Sequence, residues 1–155
     1  MKTQKETHTE TPQGIGLALG GGGAKGLAHI GVLNVLRDAH VSVSHIAGTS
    51  MGALVGGFYA ATGDLTLLEE VFRSVTRRDL VSPLTLFMRR DGALFTTPKI
   101  REAIESALRG ISIEDCRIPF RAVATDAETG EMVVLDSGDL LEAIRASVAL
   151  PVAFS

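Results

Sequence analysis

Two glycine-rich turns constrain this chain more than any other feature. Gly20-Gly-Gly-Gly-Ala-Lys-Gly26 follows the apolar run Ile15–Leu19, and Gly48-Thr-Ser-Met-Gly52 follows the Val- and Ile-bearing run Val41–Ala47. Each short apolar run reads as a buried strand. Each turn then leads into residues of helical spacing. Leu27, Ile30, Leu33, Val35 and Leu36 predict a helix over Leu27–Ala39 packed on one face. A second helix runs from the 48–52 turn to about Ala61 and is ended by Gly63. Strand, turn and helix twice in succession argue for an α/β fold with parallel strands.

The remaining pattern extends this frame. Leu65 to about Val75 predicts a third helix, and Arg77–Phe95 reads as irregular. Thr97 and Pro98 predict a helix start, with Gly110 as its stop. Phe120–Ala124 and Met132–Leu135 predict a hairpin around a Gly-containing loop. Asp139–Val148 predicts a last amphipathic helix, stopped by Pro151.

Composition removes several function classes. A length of 155 residues suits one domain, and 45% hydrophobic residues give it a core. A net charge of −3 argues against a basic nucleic-acid binder. One cysteine, Cys116, excludes an internal disulfide and a Cys-rich zinc site. Residues 1–13 lack the apolar run of a secretory signal and read as a solvated, disordered tail. With no signal and an unpaired cysteine, the expected compartment is the cytoplasm. Ile46–Gly63 carries no charge and is long enough to raise a transmembrane question. Its five glycines favour a buried helix entered through a tight turn.

The turns also carry the chemistry. Gly48-Thr-Ser50-Met-Gly52 matches G-x-S-x-G, in which a serine stands exposed on a strained strand-to-helix turn. Glycines at Gly48 and Gly52 leave the crowded flanks without side chains. The helix N-terminus favours negative charge developing beside the serine. The plainer reading is a serine that caps the helix. The 20–26 loop fails the phosphate-binding G-x-x-x-x-G-K-[ST] pattern, because Gly26 follows Lys25 directly. Gly21, Gly23 and Gly26 fit the dinucleotide G-x-G-x-x-G, but Ala47 and Gly48 stand where its acidic residue belongs. A third use is an oxyanion hole, since consecutive glycine N–H groups can point at one oxygen. Loop and serine turn would then share the carboxyl edge of one sheet, where open α/β sheets bind ligands. Lys25 is read as a solvated residue or as a guide for an anionic head group.

A serine nucleophile needs a base. His8, His29, His40 and His45 all precede Ser50, so the Ser–acid–His order cannot be completed after it. The base is then a carboxylate or lies elsewhere.

These segments, with Leu27-Ala-His-Ile-Gly-Val-Leu33, Ala124-Thr-Asp-Ala-Glu-Thr-Gly130 and Ala143-Ile-Arg-Ala-Ser-Val-Ala-Leu-Pro-Val-Ala-Phe154, resemble the patatin-like phospholipase family in its bacterial branch. The resemblance runs in order from Ile15 to Phe154. It implies a three-layer α/β/α fold with a mainly parallel sheet over 14–155. It also implies a serine lipid acyl hydrolase with a Ser–Asp dyad and neither metal nor organic cofactor. By resemblance Ser50 is the nucleophile, and Gly21, Gly22 and Gly23 form the oxyanion hole. The family's dyad Asp sits in an Asp-Gly-Gly/Ala motif some tens of residues past the Ala-Ser-x-Ala-x-Pro-x-x-Phe segment. This sequence stops at Ser155, so the expectation is a domain cut before that motif and an impaired active site. Asp91-Gly92-Ala93 matches the motif only by letters, and Asp126 and Asp136 read as turn or ligand-side residues. Expected partners are a phospholipid or another acyl ester, with peripheral membrane contact and no nucleic acid. The apolar cluster Leu80, Val81, Leu84, Leu86, Phe87 and Met88, flanked by arginines, reads as a pocket cap or as ordinary packing. Two other classes stay open: a non-catalytic lipid- or partner-binding form, and a dinucleotide-binding module.

Overall fold

The computed structural model describes residues 14–73 and 98–149. The polar tail, the Arg77–Phe95 cluster with Asp91, and Thr97 and Pro151 as helix boundary residues lie outside them.

β1 (Ile15–Leu19) and β2 (Val43–Thr49) are the first two strands. A 3₁₀ turn (Gly23–Leu27) and α1 (Ala28–Asp38) connect them. α2 (Met51–Thr62) and α3 (Thr66–Arg73) follow, then α4 (Pro98–Leu108). The hairpin strands are β3 (Phe120–Thr125) and β4 (Met132–Leu135), and α5 (Leu140–Val148) completes the described chain. The strands lie in the order β1-β2-β3-β4, parallel up to β3, with β4 antiparallel. The α/β class and the mainly parallel sheet are therefore as the sequence implies.

Register explains where the site forms. Leu19 lies beside Gly48, Gly48 beside Ala122, and Thr49 beside Val123. The carboxyl ends of β1, β2 and β3 thus form one edge. Leu19, Ile46, Phe120 and Ala122 share the buried face of the sheet and pack under α2 and α5. On the other face Gly16, Ala18, His45 and Arg121 are exposed. An open groove of about 300 Å³ crosses that face, and no site residue lines it.

α2 is apolar all round because it is enclosed on all sides. A Cβ on Gly56 would meet Ile46 Cγ2 at 2.8 Å, and one on Gly57 would meet Ile144 Cδ1 at 3.0 Å. Glycine lets this helix lie against the sheet and α5 at once. The charge-free run 46–63 is thereby divided between β2 and a core helix of 12 residues. Among the described residues, no helix is long and apolar enough to cross a membrane.

Boundaries differ from the sequence reading at two places. β2 is shifted two residues downstream, because Gly48 and Thr49 still pair with neighbouring strands. The turn is therefore a single residue, Ser50. α1 starts after a 3₁₀ turn that takes in the second half of the glycine loop. Gly63 ends α2 in the left-handed region (φ 73°), and Asp139 caps α5 by accepting from the Glu142 N–H at 2.9 Å.

Candidate active site

Ser50 is the only residue between β2 and α2, and its backbone shows what that costs. It sits at φ 55°, ψ −120°, a conformation L-residues avoid. Such strain costs about 1–3 kcal/mol and persists only where the surroundings impose it. The Ser50 side chain makes no hydrogen bond to the α2 N-terminus. That removes the plain helix-cap reading and leaves the hydroxyl free of a structural task at the cap.

Crowding around Ser50 accounts for both elbow glycines. A Cβ on Gly48 would lie 2.4 Å from the Gly52 carbonyl oxygen and 2.6 Å from Ala53 Cα. A Cβ on Gly52 would lie 2.0 Å from the Leu19 carbonyl oxygen and 2.7 Å from that of Gly20. The start of α2 thus passes directly against the end of β1, where the glycine loop begins. Gly26 closes the same contact from the other side, because its Cβ would lie 2.6 Å from Met51 Cβ.

The structure brings the two turns together as the sequence pattern implies. Gly21 faces the serine: a Cβ there would stand 3.4 Å from Ser50 Cβ. Gly22 (φ 140°) and Gly23 (φ 54°) turn the chain into the 3₁₀ segment, where the Lys25 N–H donates to the Gly22 carbonyl at 3.1 Å. Among the described residues, the Gly21 and Gly22 N–H groups have no hydrogen-bond partner. Lys25 is exposed beside them.

Two residues at this edge lie in segments that carry the resemblance but were given no role in the site. His29 Nε2 lies 2.8 Å from the Gly20 carbonyl oxygen. A carbonyl only accepts, so Nε2 carries the proton in this contact. Ser147, in α5, is buried at 9% exposure. Its hydroxyl accepts from the Ser50 N–H at 2.8 Å and donates to the Val123 carbonyl at 2.6 Å. A histidine three residues past a glycine loop is a weak signal. A serine in an otherwise apolar helix face is a stronger one, since buried polar groups need partners.

Asp126 and Asp136 are engaged elsewhere. Asp126 follows β3 at the site edge, but its carboxylate accepts from the N–H groups of Thr129 and Glu128, both at 2.9 Å. Those bonds, Thr129's first, hold its carboxyl below the usual aspartate range. Asp136 extends β4 beside Arg121, at 3.8 Å, towards the opposite end of the sheet from Ser50. His45 is exposed on the open face of β2, away from the elbow.

Known proteins share these segments. The family model described as patatin-like phospholipase matches residues 17–155. An uncharacterised NTE family protein of Mycobacterium tuberculosis is 42% identical over 137 residues, covering 88% of this chain and 38% of that protein. A patatin-like phospholipase domain-containing protein of Caenorhabditis elegans is 39% identical over 142 residues, and neuropathy target esterase sws of Drosophila melanogaster is 30% identical over 149. Each of these two matches covers 90% of this chain and 10% of the relative. The chain therefore spans well under half the length of these relatives.

Proposed function

The chain belongs to the patatin-like phospholipase family, and from that premise we propose that it carries the nucleophile and oxyanion half of a serine lipid acyl hydrolase. The observation that carries this reading is the strained Ser50 elbow with the glycine loop pressed against it. Ser50 Oγ attacks the carbonyl carbon of a phospholipid or lysophospholipid ester, and a carboxylate base takes its proton. The carbonyl oxygen becomes an oxyanion and accepts from the N–H groups of Gly21, Gly22 and Gly23. Collapse expels the alcohol, which receives the proton, and an acyl-enzyme remains. Water then attacks that ester with the same base and oxyanion donors, releasing the fatty acid and Ser50.

Glycines suit this role because a bulky acyl group meets no side chain at the loop. The Ser50 N–H is already taken by Ser147, so the oxyanion donors must come from other backbone groups. The base in this reading is the family's Asp-Gly-Gly/Ala aspartate. Asp126 and Asp136 do not replace it, since both carboxylates are otherwise engaged. Substrate access from a membrane surface, from the cytoplasmic side, belongs to the same proposal.

A fluorophosphonate probe tests it. Labelling should fall on Ser50, be lost in Ser50→Ala, and run faster in a chain that includes the Asp-Gly-Gly/Ala segment than in these 155 residues. Labelling that survives Ser50→Ala removes the serine from its role. Absence of labelling in both chain lengths favours the non-catalytic lipid- or partner-binding reading.

A further inference from the structure

We propose that Ser147 is a positioning residue for the nucleophile: its hydroxyl holds the Ser50 backbone in the conformation that presents Oγ. The inference rests on the hydrolase reading above for its catalytic consequence, though not for its geometry.

Ser147 belongs to α5, and a helical serine ordinarily bonds back to its own helix. This one does not. Its hydroxyl donates to the Val123 carbonyl at 2.6 Å and accepts from the Ser50 N–H at 2.8 Å. Val123 is paired with Thr49, the last residue of β2. One oxygen thus joins the end of β3, the elbow and α5. Ser147 is the one polar residue among the described side chains that is buried with the core.

The position of this bond matters. Ser50 has left the ladder of β2, and only its carbonyl has joined α2, accepting from the Leu54 N–H at 3.1 Å, so its own N–H has no partner from either element. A half-buried N–H without a partner is still costly, and the chain would recover the loss by rotating Ser50 out of φ 55°. Ser147 supplies the missing acceptor and removes that incentive. Among the described residues, the Ser147 hydroxyl is the acceptor of this N–H, which leaves the Ser50 hydroxyl free to react. Rotation of the Ser50 backbone would swing Oγ away from the glycine loop, which packs so near that a Cβ on Gly21 would stand 3.4 Å from Ser50 Cβ. The pin therefore fixes the nucleophile relative to the oxyanion donors.

The test compares the full chain with Ser147→Ala and Ser147→Thr. NMR hydrogen exchange at the Ser50 amide reads the bond directly, and the Ser50 Cα shift reads its backbone angle. In Ser147→Ala the Ser50 amide should exchange at least about tenfold faster, while those of Val55 and Phe58 inside α2 stay unchanged. Labelling by the fluorophosphonate, or kcat in an active form, should fall about 10- to 100-fold with KM within about twofold. Ser147→Thr keeps the hydroxyl and should restore both. If Ser147→Ala does not fold, Ser147→Cys, whose thiol is a weak acceptor, is read in its place. An unchanged Ser50 amide overturns the proposal, as does faster exchange spread evenly along α2, which marks simple destabilisation. A lost bond with undiminished labelling overturns it too. Should the wild-type chain take no label, the hydrolase reading fails while the exchange and shift data still decide whether Ser147 holds Ser50.

Discussion

At Ser50 stability is set against the strained backbone that the proposed chemistry needs. Its φ of 55° costs about 1–3 kcal/mol, whereas the extra chain entropy of glycine costs about 0.5–1 kcal/mol. Ser50→Gly should therefore unfold at higher urea than Ser50→Ala, by about 1 kcal/mol, with both inactive; equal midpoints would mean that the turn is not strained. Asp126 gives a pH dependence. Its folded-state carboxyl is held below the ordinary range by the Thr129 and Glu128 N–H groups. The stabilisation is thus complete above the unfolded-state value and is lost as pH falls through the lowered folded value. Carboxyl NMR should show Asp126 titrating below a free aspartate, with the Thr129 and Glu128 amides losing protection over the same acidic range. The serine, both elbow glycines and the glycine loop were legible in the sequence because each has a side-chain requirement at fixed spacing. His29 and Ser147 lay in the resembling segments, but their roles were not legible. Their partners are backbone atoms of Gly20, Ser50 and Val123, and a residue-type pattern carries no sign of a backbone partner 97 positions away.

Helices and turns were legible where a glycine or a cap punctuates them. Gly63 and Asp139 act at the positions the sequence marks. Asp139→Ala should cost about 1 kcal/mol by thermal melting, the usual value of an N-cap, and a neutral result would assign the α5 start to packing alone. The β2 end was misplaced because Gly48 was read as turn, although it still pairs on both sides. Glycines within helices divide by their surroundings. Nothing lies within 4 Å of a Cβ on Gly31, so Gly31→Ala in α1 should stabilise by about 0.5–1 kcal/mol. A Cβ on Gly52 would meet the Leu19 carbonyl oxygen at 2.0 Å, and that oxygen cannot move without parting α2 from β1. Gly52→Ala should cost about 3 kcal/mol or more in a urea melt. Equal effects at the two sites would refute the close-approach explanation.

Over the whole molecule, a sheet of three parallel strands and one antiparallel strand sets the two turns side by side. Strand alternation with helices was enough to see that class; the order in which strands pair was not, because it depends on crossovers that local periodicity does not encode. The bond from Ser147 to Ser50 has a temporal side. It closes 97 residues of chain, so the entropy of that closure must be met before the elbow is fixed. β1, the glycine loop, β2 and α2 are near neighbours in sequence and can assemble first. The Ser50 elbow acquires its geometry only when the last described helix docks. In stopped-flow refolding, far-UV circular dichroism should therefore recover before the rate of probe labelling does. A nascent chain that has emerged only as far as β3 would carry Ser50 in a relaxed turn, without the backbone geometry on which the proposed chemistry depends.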